Sequence, residues 1–163
     1  MLNKSRKVVL GFDPGYERCG FGVILVDGGS VKSLGHGVIK TKAGVDFCFR
    51  LQEVAEDVEA VLDKYEPDEV VIEDLFFAQS KNNALKVAEV RGVLKLLATK
   101  RGILVKEVKP TEVKLALTGD GRADKKQVQE MVKKIFGFAV IPKPDDAADA
   151  LAVAYAGSSK LVL

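Results

Sequence analysis

Cysteine, histidine and a strong charge of either sign are what this chain has little of. Its 163 residues include two cysteines and one histidine, and the formal net charge is +2. Cys19 and Cys48 are too few for a disulfide framework and lie in no CxxC or Cys/His spacing. Both read as reduced thiols, and a zinc site is disfavoured. His36 stands alone in a β-rich run and reads as structural. A near-neutral total names no partner, so the local distribution of charge carries the information. No stretch approaches the roughly 18 consecutive apolar residues of a membrane span. The start MLNKSRKVV runs into a strand without a small-residue cleavage site. These absences set the expectation of a soluble, cytoplasmic protein. No repeat, low-complexity tract or linker interrupts the sequence. At 47% hydrophobic and 29% charged, the chain is expected to form one domain over 1–163, burying roughly 70% of its unfolded surface.

Against that background, four acidic residues stand where the sequence is most apolar. Asp13 ends KVVLGFD, Glu73 ends EVVIE, and Asp146 and Asp149 lie inside PDDAADALAVAYA. A carboxylate at the end of a buried strand gives up hydration unless a cation compensates it. At about 4 Å and an effective dielectric near 20, two such charges repel by roughly 4 kcal/mol. Convergence of these acids would therefore call for hard cations held by oxygen ligands. The alternative is that they are caps and turn residues on unrelated surfaces.

The order of elements decides whether convergence is feasible. Lys7 to Asp13, Phe21 to Val26 and Val31 to Ile39 read as a three-strand meander, with the turn Asp27-Gly28-Gly29 between the last two. Phe49 to Tyr65 places Leu51, Val54, Val58, Leu62 and Tyr65 at helical spacing, and Pro67 follows as a stop. Val70 to Glu73 and Ile103 to Val108 are short strands flanking a helix from Asn82 to Lys100. Beyond Pro110 come a short helix (Thr111 to Leu117), a glycine-rich basic loop, an amphipathic helix (Asp124 to Phe136) and a last helix from Asp145 to Ala156. Asp145 is expected to be the N-cap of that last helix. Crossover connections require parallel neighbours, so the sheet is mixed. If the strand ending in Glu73 lies parallel to the first strand, both carboxylates emerge at one end of the sheet. Asp146 and Asp149, three residues apart, share a helix face that can join them. Asp74 then points to the opposite side.

In this order, GFDPGYERCGFGVI, VIEDLFFAQSKNNALKVAEVRGV, VKPTEVKLALTGDGRADKKQVQEMV and PDDAADALAVA resemble the RuvC family of Holliday junction resolvases. The resemblance covers essentially the whole chain, and its specificity lies in the ordered set. It implies a ribonuclease H-like α/β fold: a mixed five-stranded sheet, made of an antiparallel three-strand meander and two parallel strands, flanked by helices. It implies an endodeoxyribonuclease that resolves Holliday junctions by symmetric paired nicks, in recombination and DNA repair. The family's metal-binding acids fall on Asp13, Glu73, Asp146 and Asp149, which implies two Mg²⁺ ions per active site, with Mn²⁺ a possible substitute. Asp13 takes the bridging role in that reading, and the products carry 5′-phosphate and 3′-hydroxyl ends. Lys114 and Lys125 match basic positions near the scissile phosphate, and Lys81 and Arg122 join the DNA-binding set. The family places a base-contacting aromatic at Phe76; the residues alone leave core packing equally open for Phe76 and Phe77. Four-way junction DNA, a second copy of the chain and the branch-migration proteins RuvA and RuvB are the implied partners. A close helix contact through Ala84, Ala88 and Gly92 would suit a two-fold dimer.

Charge runs are more often solvated helix faces than binding sites, and Lys126, Lys133 and Lys134 are read that way. Gly15, Gly119 and Gly121 are expected in turns. Three rival functions remain at this point. DPGYERCG also fits the phosphate loop of actin-like and sugar-kinase nucleotide binders, although those proteins close two lobes on ATP and this chain has room for one. The others are a related nuclease with another substrate and a catalytically silent nucleic-acid-binding module, the latter disfavoured by the complete acid set.

Overall fold

The computed structural model describes residues 6–75 and 80–159. Three antiparallel strands open the fold: β1 (Arg6–Asp13), β2 (Arg18–Asp27) and β3 (Ser30–Lys40). The tight turn between β2 and β3 uses positive φ at Gly28 and Gly29, a conformation that favours glycine. Helix α1 (Phe47–Tyr65) starts two residues earlier than its apolar spacing indicates, because the Asp46 side chain accepts the Cys48 N–H and sets the N-cap. It ends at Glu66, in left-handed conformation, just before Pro67. Then follow β4 (Glu69–Glu73), α2 (Lys81–Lys100), β5 (Leu104–Val108), α3 (Pro110–Thr118), α4 (Lys125–Phe136) and α5 (Asp145–Ser158).

The sheet order is β3-β2-β1-β4-β5, with β4 parallel to both β1 and β5. This is the mixed sheet expected from the sequence. β2 begins at Arg18 rather than Phe21, since pairing continues to Asp13 opposite Gly20 on one side and to Arg18 opposite Lys40 on the other. Period-two alternation divides the core. Val9 and Val71 face a layer built with Leu117, Val132, Leu151 and Val153 of α3 to α5. Leu10, Phe12, Val70 and Ile72 face Val54, Val58 and Leu62 of α1 and Val90 and Leu94 of α2. Each fully buried side chain of this size contributes roughly 1.5–3 kcal/mol.

α5 lies close against the sheet because small residues meet there. A Cβ on Gly20 would fall 2.1 Å from the Asp146 carbonyl oxygen, one on Gly11 would fall 2.4 Å from that of Ala150, and one on Gly22 would fall 2.6 Å from the Leu151 nitrogen. Ala147, Ala148, Ala150 and Ala154 complete the fit from the helix side. One expectation about this helix is corrected. Pro144 holds the N-cap position and Asp145 is the first helical residue, with no side-chain cap bond. The Asp145 carboxylate instead accepts from Lys143 Nζ at 2.8 Å, which removes it from capping.

Candidate active site

Phe12 of β1 lies beside Ile72 of β4, so Asp13 and Glu73 end neighbouring strands one step further on. Both face the α5 side, in line with Val9 and Val71. A cleft of about 230 Å³ opens there, lined by Asp13, Glu73 and Asp149, by Lys114 and Lys125, and by apolar Pro110, Val113, Val128 and Ala152. Five elements therefore meet at one end of the sheet. Asp146, one turn before Asp149, stands beside this lining, and its Oδ2 lies 3.0 Å from Arg18 Nε. Lys125 Nζ lies 3.2 Å from Asp149 Oδ2 and 3.9 Å from Asp145 Oδ2.

Burial and mutual repulsion dominate the electrostatics. Burial first, then the charges of Glu73, Asp149 and Asp146, raise the Asp13 carboxyl well above the ordinary aspartate range, against the pull of Lys125. Glu73 is pushed up to about 7 by burial and Asp149, although a hydrogen bond with Asp13 and the charges of Lys114 and Lys125 act the other way. Asp149 is raised by burial, opposed by Lys125. For Lys125 burial lowers the ammonium, and the charge and hydrogen bond of Asp149 with help from Asp145 and Asp13 carry it above its usual value. The acids thus face one another in a setting where full ionisation without a counter-charge is unfavourable.

The donor chemistry fits a hard divalent cation: every available ligand is a carboxylate oxygen. Among the described residues no group of three or more His, Cys, Asp or Glu side chains forms a ready-made metal cage.

The remaining sequence-derived candidates separate clearly. Arg122 is exposed at the loop after α3, where its backbone N–H donates to Asp120 Oδ1. Lys81 is exposed at the start of α2. Phe76 and Phe77 lie outside the described residues. Asp74 is on the other side of the sheet, 3.1 Å from Arg91. Two further lysines are committed elsewhere: Lys106 is buried against Glu69 at 2.9 Å, and Lys86 lies over the rings of Tyr16 and Phe47. Lys126 is exposed, as expected for a solvated face. His36 packs edge-on to Phe138. Both cysteines are free, and burial pushes the Cys19 thiol up to about 12. Gly119 caps α3 with φ +77, and a Cβ on Gly15 would fall 2.2 Å from the Arg18 carbonyl, so both serve backbone geometry.

Sequence reasoning missed Arg18 and the Gly20 seat under Asp146. The signal was a basic residue and a glycine within seven residues of Asp13 inside DPGYERCG, but their partner comes from the far end of the chain.

Residues 9–156 match the family model described as crossover junction endodeoxyribonuclease RuvC. The chain is 46% identical to the protein of that description from Heliobacterium modesticaldum over 147 residues, covering 90% of this chain and 91% of the relative. It is 45% identical to the one from Thermotoga maritima, covering 90% and 88%. Among solved structures, Thermus thermophilus RuvC in complex with Holliday junction substrate superposes with a TM-score of 0.88 at 35% identity, covering 93% of both chains. The yeast mitochondrial resolvase Ydc2 shares the fold, with a TM-score of 0.61 at 16% identity. With the model spanning most of the sequence and relatives matched over nearly their full length, the chain belongs to the RuvC family of crossover junction endodeoxyribonucleases.

Proposed function

We propose that this chain resolves Holliday junctions by symmetric paired nicks, with Asp13, Glu73, Asp146 and Asp149 holding two Mg²⁺ ions, or Mn²⁺ in their place, at the scissile phosphate. The observation that supports it is the meeting of carboxylates from β1, β4 and α5 with lysines from α3 and α4 around one open cleft. Bound divalent cations would supply activation of a water and stabilisation of the departing 3′ oxygen, leaving 5′-phosphate and 3′-hydroxyl ends. Asp13, on the central strand, would be the shared ligand of the cations, with Glu73, Asp146 and Asp149 as the other residues that would hold them. Lys114 and Lys125 stand opposite the acids and offset charge that builds on the phosphate. Lys81 and Arg122, both exposed, dock the DNA backbone. Phe76 is the base contact at the branch point.

Two equivalent cuts call for two equivalent sites, hence a homodimer. α2 offers the surface: Leu85 and Leu96 are 66% and 59% exposed. Ala88 and Gly92 lie between them, and a Cβ on Gly92 would meet nothing within 4 Å. Delivery by RuvA and RuvB and a cytoplasmic setting, in recombination and DNA repair, complete the reading. No helix among the described residues is long and apolar enough to cross a membrane.

The test is incubation of the purified chain with a synthetic four-way junction, a matching linear duplex and ATP, with and without chelator. The junction should be cut at paired positions, the duplex and ATP left intact, and chelator should stop cleavage. Equal cutting of the duplex would redirect the reading to a general nuclease, and ATP turnover would redirect it to a nucleotide-binding protein. Asp13→Asn should lower cleavage by roughly 10²- to 10³-fold, the scale of losing one transition-state charge stabiliser, while junction binding persists.

A further inference from the structure

Arg18 has no part in the reading above, yet it is the first residue of β2 and its side chain crosses to the first turn of α5. Its Nε lies 3.0 Å from Asp146 Oδ2, with the two side chains 47% and 30% exposed. Both backbones are fixed. Arg18 is paired in register with Lys40 of β3, and the Asp146 carbonyl rests so close to Gly20 that no Cβ fits between them. The ion pair is therefore carried by two anchored elements rather than by two free loops.

The cations at this end of the sheet divide the acids among themselves. Lys125 is on Asp149, the Lys114 charge acts on Glu73, and Arg18 is on Asp146. Arg18 differs from the lysines because it approaches from the β2 side, away from the α3 and α4 wall that carries them. A guanidinium there offsets one acid charge and directs N–H donors at an oxygen that is also a cation donor. A divalent cation drawn to Asp146 meets both the repulsion of a fixed positive charge and competition for the carboxylate.

We propose that Arg18 is a positioning residue that restrains the Asp146 carboxylate and weakens its hold on a divalent cation. This rests on the reading of Asp146 as a cation ligand. It makes the acid set tolerable in the folded protein while raising the cation concentration at which the site fills. The size of the effect follows from an exposed ion pair, whose upper range corresponds to roughly fivefold in an equilibrium constant.

The experiment is calorimetric titration of the full chain with Mn²⁺ alone, in the absence of DNA, for wild type, Arg18→Gln, Arg18→Lys, Asp146→Asn, Asp13→Asn and the combined Arg18→Gln/Asp146→Asn variant. Arg18→Gln should bind Mn²⁺ roughly three- to fivefold more tightly, Arg18→Lys should remain near wild type, and Arg18→Gln should have no effect in the Asp146→Asn background. Loss of packing would weaken binding, so a gain separates this role from a merely structural one. The Mn²⁺ concentration for half-maximal junction cleavage should fall in parallel. Unchanged or weaker binding by Arg18→Gln, or the same gain without Asp146, would overturn the inference while leaving the metal reading intact. Failure of wild type to bind Mn²⁺ in a manner that depends on Asp13 would overturn the metal reading itself.

Discussion

Glu69 and Glu73 stand four residues apart on the same face of β4, and their surroundings are opposite. Glu69 accepts Lys7 Nζ at 3.0 Å and Lys106 Nζ at 2.9 Å, and the same two ammonium groups reach the last carbonyls of α5, at Ser158 (2.8 Å) and Gly157 (3.3 Å). Lysine at a helix C-terminus is favourable, so the one ammonium in excess of the Glu69 charge is offset by the negative end of the α5 dipole. Glu73 points into the cleft at the other end of α5, where its neighbours are Asp13 and Asp149. Acids near the helix N-terminus suit the dipole, but they outnumber the cations that reach them. The first arrangement satisfies every partner within the fold. The second leaves charge to be satisfied by something that binds. Buried acids at one end of α5 are met by cations of the fold, and those at the other end are met only in part.

Removing Glu69 tests the balanced side and should have the larger effect on stability. Glu69→Ala leaves Lys106, 7% exposed, without its carboxylate. Breaking one half of a buried pair costs about 3–5 kcal/mol, read as a lower midpoint in urea unfolding. Junction cleavage per folded molecule should be unchanged. A loss below about 1 kcal/mol, the range of an exposed pair, would show that the cluster is not the structural counterweight described here.

The glycines at the two ends of α5 sharpen the contrast further. A Cβ on Gly20 would collide with the Asp146 carbonyl at 2.1 Å, and one on Gly157 would press Val71 Cγ1 at 2.3 Å. Overpacking of this kind costs about 1–3 kcal/mol in either place. Gly157→Ala should lower thermal stability and spare cleavage under conditions where the protein is folded. Gly20→Ala should slow cleavage by more than its unfolded fraction explains, since it moves the turn that carries Asp146. Equal behaviour of the two variants would dissolve the distinction between the ends.

Much of the frame was legible because its signals are local. Val8 to Phe12 is a short apolar, β-rich run, glycine and proline bound the helices, and an acid ending an apolar strand conflicts with its own neighbours wherever the strand lies. Asp13 and Glu73 could thus be singled out before any pairing was known, and the parallel crossover brought them to one end of the sheet. What could not be read depended on distance across the chain. Arg18 and Asp146 belong to opposite ends of the sequence, and Gly20 matters only once α5 rests on it. Lys106 is a further case, since its place inside the short strand LVKEV buries it on Glu69, a residue distant in sequence. A lysine set between apolar residues inside a short strand was the available signal.

The smallest effect concerns pH, and it has a definite sign. Glu73 is pushed up to about 7 from an ordinary 4.5, so between those values the folded chain keeps a proton that the unfolded chain has released. Unfolding then sheds protons, and stability must fall as pH rises through about 4.5 to about 7, levelling above. Asp13 and Asp149 are also raised and act in the same direction. At 1.36 kcal/mol per pH unit the upper limit for Glu73 is about 3 kcal/mol, and solvent in the open cleft reduces it to about 1–2 kcal/mol. Glu73→Gln should therefore stabilise the protein at pH 8 by a few degrees in melting temperature and leave it nearly unchanged at pH 4. Mg²⁺ at pH 8 should raise the melting temperature of wild type more than that of Glu73→Gln, because the cation relieves the same repulsion that the substitution removes. Wild-type stability that stays flat or climbs from pH 4.5 to 7 without divalent ions would mean that the acids at this end of α5 are as well compensated as Glu69 is at the other.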